Sequence, residues 1–162
     1  MKIKISGLRD GDYFYNFRAN FLDIDIDYYE LIDDFNVDVK LTKRASNILL
    51  NIAVNGIILL ECDRCLDSFK YNFSRVFELL YKMNDDYFLL NSNNKEPDVF
   101  YIDKNSFEID ISEAVRDYIL LSIPMKKVPE EKDGICLFCN RRIDSLFSRY
   151  SKEDTTEFKN LF

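Results

Sequence analysis

A chain of 162 residues with 47% hydrophobic and 15% aromatic side chains can bury one substantial core. Only four glycines and three prolines exclude a collagenous or low-complexity chain, and a net charge of −7 argues against simple capture of a phosphate backbone. The absence of histidine excludes a histidine general base, a Ser-His-Asp triad and a Cys-His pair, and the scarcity of glycine leaves no phosphate-cradling loop.

The opening "MKIKISGLRDGDYFY" shows no secretory pattern, and no stretch approaches the ~18 apolar residues of a membrane span. The expectation is a cytoplasmic protein without membrane contact, whose cysteines are reduced. "DYFYNFRANF" places Tyr13, Tyr15, Phe17, Ala19 and Phe21 on one face of a strand. An acidic stretch follows. Asp23, Asp25 and Asp27 share a side if the chain is extended there, and Asp33 and Asp34 come soon after. Within it, Tyr28, Leu31, Ile32 and Phe35 have the spacing of a short helix. "FNVDVKLTK" alternates Phe35, Val37, Val39 and Leu41 with polar residues, and "NILLNIAVN" aligns Ile48, Leu50, Ile52 and Val54. The polar residues between these runs predict a hairpin. "KYNFSRVFELLYK" alternates again, with Tyr71, Phe73, Phe77, Leu79 and Tyr81 on one side, and "VFYI" reads as one more strand. The pattern changes at Asp110, where Asp110 and Glu113 predict a capping box ahead of a helical stripe through Val115, Tyr118 and Ile119 that Pro124 ends. "RRIDSLFSRY" predicts a second amphipathic helix through Ile143, Leu146, Phe147 and Tyr150. The expectation is a single α+β domain over 1–162. It has a mainly antiparallel sheet over 1–105, helices over 106–162 and two C-x-x-C turns brought together.

Those turns are "CDRC" at Cys62 and Cys65 and "CLFC" at Cys136 and Cys139. Four thiolates suit a closed tetrahedral zinc site. Four thiolates around one Zn²⁺ carry an excess of negative charge, so donors are needed close by. Arg64 inside the first pair and Arg141 and Arg142 after the second stand ready for that. Cysteines that merely pack as small buried apolar side chains are one alternative. A thiol–disulfide protein is another. It requires a helix N-terminus at the reactive pair to lower the thiol pKa, and the residues after Cys65 have strand periodicity instead. A zinc ion with four thiolate ligands has no open position for water, and nothing in the sequence argues for catalysis.

"LECDRCLDSF", then "EIDISEAVRDYILLSIPMKKV", then "GICLFCN" and a terminal "EFKNLF" together resemble the bacterial and plastid YceD family of large ribosomal RNA subunit accumulation proteins. Ile123 stands where that pattern has leucine before the proline, and Asn140 where glycine often follows the last cysteine. The resemblance implies a non-enzymatic ribosome-biogenesis factor that supports accumulation of large-subunit ribosomal RNA. Its partner is that RNA, a ribosomal protein of the large subunit, or both. Lys126, Lys127 and Arg149, with the aromatics Phe138 and Tyr150, are the candidate contacts to irregular RNA, alongside Arg141 and Arg142. The acidic stretch Asp23, Asp25, Asp27, Asp33 and Asp34 is the candidate face for a basic ribosomal protein.

Overall fold

The computed structural model describes residues 1–26, 29–84, 99–137 and 140–144. Among them are ten strands, one 3-10 helix and one α-helix. The strands are β1 (Lys2–Lys4), β2 (Gly11–Ala19), β3 (Glu30–Leu31), β4 (Phe35–Arg44), β5 (Asn47–Glu61), β6 (Ser68–Met83), β7 (Val99–Ile102), β8 (Glu108–Asp110), β9 (Glu131–Lys132) and β10 (Ile135–Cys136). The 3-10 helix spans Phe21–Ile24, and α1 spans Ser112–Ser122. The main sheet runs in the order β2-β4-β5-β6-β7, with the short β3 pairing β5. The β2–β4 and β4–β5 pairs are antiparallel and the β6–β7 pair is parallel.

Alternation dictates these strands. Phe35, Val37, Val39 and Leu41 of β4 and Ile48, Leu50, Ile52 and Val54 of β5 are all buried, while the residues between them are exposed or half-buried. Leu41 pairs with Leu50, Val39 with Ile52 and Val37 with Val54, so one face is a continuous apolar surface. The tight connection runs through Ala45 at φ 50°. Helix α1 turns Val115 and Ile119 inward, and its Tyr118 stacks on Phe77 of β6 with ring centroids 3.9 Å apart. Each large apolar side chain removed from water here contributes about 1.5–3 kcal/mol.

The chain divides into two compact units. One comprises Met1–Ile58 and Asn72–Ile123, the other Leu59–Tyr71 and Pro124–Phe162. The first holds the main core. The second contains the ends of β5 and β6, the turn between them, and the β9–β10 hairpin.

The expectation of helices through the C-terminal third is overturned: the molecule is mostly β, and α1 is the one α-helix among the described residues. After Pro124 the chain forms the β9–β10 hairpin instead. Asp133 and Gly134 take positive φ angles of 53° and 72°, the geometry of a tight two-residue hairpin turn. The predicted terminal helix lies mostly outside the described residues, which include only its start at 143–144. The short helix expected around Leu31 and Ile32 is also corrected. Glu30 and Leu31 form β3, and the Ile32 N–H donates to the Ile57 carbonyl at 3.0 Å.

Candidate metal centre

Both cysteine pairs belong to the second compact unit, and each is followed by a left-handed residue whose N–H donates back to the carbonyl of the pair's first cysteine. At the first, the Leu66 N–H donates to the Cys62 carbonyl at 2.9 Å, and Leu66 is left-handed with φ 60°. At the second, the Asn140 N–H donates to the Cys136 carbonyl at 2.9 Å, and Asn140 is left-handed with φ 57°. Each turn is closed by a further bond from its first cysteine. The Cys62 N–H donates to the Asp67 carbonyl at 3.0 Å and the Cys136 N–H to the Arg141 carbonyl at 3.0 Å. Asparagine enters the left-handed region readily, while leucine does so only under strain. Cys62 and Cys136 are buried and Cys65 is half-buried. Cys139 lies outside the described residues. Among the described residues, no three histidine, cysteine, aspartate or glutamate side chains converge as a metal-ligand group.

Polar contacts tie the first turn to the segment that leads into the second. The Asp63 N–H donates to the Lys127 carbonyl at 3.0 Å, and the Lys127 N–H donates back to the Asp63 carboxylate at 2.7 Å. Arg64 reaches further, with one guanidinium nitrogen on the Glu131 carboxylate of β9 and another on the Pro129 carbonyl at 3.2 Å. Asp67 and Arg141 form an ion pair at 3.6 Å, which joins the ends of the two turns.

Arg64 is 13% exposed. Desolvation works against its charge, but the hydrogen bond and ion pair to Glu131 and a hydrogen bond to Cys62 outweigh it and raise its pKa above the ordinary arginine value. Its buried Nε–H has no hydrogen-bond partner among the described residues. Glu131 pairs the charge of Arg64, and the Nε–H beside the first cysteine pair is the one buried donor of that side chain left over among the described residues. Asp63 and Glu131 are the members of this constellation that sequence reasoning missed. Asp63 sits inside the first C-x-x-C next to Arg64, and its acidic side chain was the available signal.

The remaining candidates are spread over both units. Lys126 is exposed and Lys127 half-buried. Arg142 is 3.9 Å from Asp144. Phe138, Arg149 and Tyr150 lie outside the described residues, as does Asp27. The acidic stretch is not an extended stripe. Asn20 and Asp23 form a reciprocal cap on the 3-10 helix, with the Asn20 N–H donating to the Asp23 carboxylate at 2.9 Å. Asp25 ends that helix at φ 55°. Asp33 and Asp34 are exposed, and Asp34 pairs with Arg18 at 3.5 Å. The residues after Cys65 lead into β6, so the first pair does not sit at a helix N-terminus.

The family described as "Large ribosomal RNA subunit accumulation protein YceD" matches residues 50–161. The chain belongs to the YceD family. The matched region takes in both cysteine pairs, the arginines that follow them and helix α1. The YceD description connects the chain with the accumulation of large-subunit ribosomal RNA. No curated protein and no solved structure matches. No helix among the described residues is long and apolar enough to cross a membrane.

Proposed function

We propose that the protein is a non-enzymatic ribosome-biogenesis factor of the cytoplasm that supports accumulation of large-subunit ribosomal RNA, with a structural zinc ion held by Cys62, Cys65, Cys136 and Cys139. The observation that carries the biogenesis role is the family match over residues 50–161. Support for the metal comes from the left-handed residues Leu66 and Asn140 that follow the two pairs, the matching bonds they donate to Cys62 and Cys136, and the charged Arg64 inside the first pair. Zinc in a four-thiolate site contributes folding free energy without an open position for chemistry. A chain without histidine has no side chain whose unperturbed pKa suits proton transfer near neutral pH. Lys126, Lys127, Arg141 and Arg142 lie in the same unit as the cysteine turns and offer the positive charge that RNA contact requires.

Ultraviolet crosslinking of the tagged protein in growing cells, with sequencing of the attached RNA, tests the role. The expected outcome is a localised peak on large-subunit ribosomal RNA that weakens when Arg141 and Arg142 are both changed to alanine. Comigration with assembling subunits without any RNA crosslink would move the contact to a ribosomal protein. The acidic residues Asp25, Asp33 and Asp34 would then be the ones to change. Absence from assembling subunits altogether would overturn the biogenesis role.

A further inference from the structure

β2 ends the main sheet: one of its edges pairs with β4, and among the described residues no strand pairs with the other. Its sequence, GDYFYNFRA, is long for an open edge, and its only protections of the usual kind are the charges Asp12 and Arg18. It contains no lysine and no proline, and its pairing with β4 runs without interruption from Gly11 to Ala19. Tyr13, Phe14, Tyr15 and Phe17 give it strong strand propensity. Phe14 is 76% exposed, and Tyr13, Tyr15 and Phe17 are only half-buried.

The two charges of β2 are Asp12 and Arg18, and Tyr15 lies midway between them. They share the exposed face with Phe14 and Asn16. If the strand meets a copy of itself antiparallel about a twofold axis at Tyr15, Asp12 stands opposite Arg18 and Phe14 opposite Asn16. The outward backbone groups also match. Opposed residues keep the same parity in this register, so whichever alternate residues turn their N–H and C=O away from β4 meet their equivalents in the copy. The charge row continues across the junction. Asp12 already faces Lys40 at 3.5 Å within its own chain, and Arg18 faces Asp34 at 3.5 Å. The joined row therefore alternates in sign. We propose that β2 is a homodimer edge, pairing with β2 of a second copy about a twofold axis at Tyr15 to make one sheet continuous across two molecules.

Analytical ultracentrifugation of the full chain tests this together with Asp12→Arg, Arg18→Asp and the double variant. The wild type is expected to dimerise. Each single variant sets like charges opposite each other twice and weakens the dimer about tenfold or more. The double variant D12R/R18D restores attraction and recovers affinity to within about threefold. Circular dichroism melting separates dimer loss from unfolding. A photo-crosslinking benzoyl-phenylalanine at position 14 of the otherwise wild-type chain provides a reading that does not depend on these variants. The expected product joins position 14 to the peptide containing Asn16 of the second copy. A wild type that stays monomeric at every concentration, a double variant as weak as the singles, or crosslinks that fall outside β2 or on a different protein would each overturn the proposal.

Discussion

At position 56 an added methyl group would stand 2.6 Å from the Phe73 ring and 2.9 Å from Phe35 Cβ. Phe73 and Phe35 are themselves fully buried, so neither ring has room to retreat. Gly56→Ala is expected to cost about 1–3 kcal/mol in urea denaturation. Relief of this loss by Phe73→Leu in the same background would confirm the close approach as the cause. Tyr81 shows how burial acts on a proton. The side chain is 6% exposed and stacks on Phe100 at 5.1 Å, and desolvation, with a smaller contribution from Asp110, pushes its pKa up to about 12. The unfolded chain ionises this phenol near pH 10 and the folded chain only about two units higher. The stability it contributes is therefore intact below pH 10 and is lost as pH rises from 10 towards 12. Tyr81→Phe should flatten that alkaline limb by about 1.4 kcal/mol between pH 8 and pH 11. Denaturation curves at pH 8 and pH 11 compare the two proteins, and an equal slope in both would assign the limb to other groups.

The cysteine turns depend on their ties as much as on their own closure. Arg64 links the first turn to Pro129 and Glu131, and Asp63 links it to Lys127. Arg64→Ala is expected to cost about 1–2 kcal/mol, because Glu131 is half in water and the pair is partly screened. A double-mutant cycle with Glu131→Ala isolates the coupling, and a value near zero would remove this ion pair from the account. If zinc holds the turns, chelation should speed hydrogen exchange at the amides of Leu66 and Asn140, which close them, while amides of β4 and β5 keep their protection. Unchanged exchange at both turns would count against a structural metal. Much of this level was legible beforehand. Strict alternation from Phe35 to Leu41 and from Ile48 to Val54 named the inner face of the sheet, because each polar residue between had only one side to occupy. The stripe through Val115 and Ile119 gave α1 for the corresponding helical reason, although the predicted capping box is absent: Ile111 holds the N-cap position, and Asp110 before it accepts from the Ser112 N–H at 2.9 Å. Legibility failed where the elements are short. Two-residue strands such as β3, β9 and β10 have no period to detect, and tertiary pairing rather than propensity makes them. The acids at 23 and 25 looked extended until the Asn20 cap turned them into a 3-10 helix.

At the scale of the molecule, the family match begins at residue 50, so it covers all of the described second unit but leaves β1, β2, β3 and β4 outside. The connection with large-subunit ribosomal RNA comes from the matched portion. Changes at the β2 edge, such as D12R, should leave any RNA crosslink pattern unaltered, which a repeat of the crosslinking experiment checks. The second unit is discontinuous: Leu59–Tyr71 comes from the middle of the chain and the rest from beyond Pro124. Synthesis on the ribosome therefore delivers its two halves at different times. About 70 residues separate the first cysteine pair from the second, which at ordinary elongation rates is roughly 4–14 s during which Cys62 and Cys65 wait without their counterparts. On the proposed four-cysteine site, an ion cannot be fully captured until that interval has elapsed. Metal loading would then act as a timer, marking chains that have been translated past residue 139 and leaving shorter products with two uncommitted thiols open to oxidation.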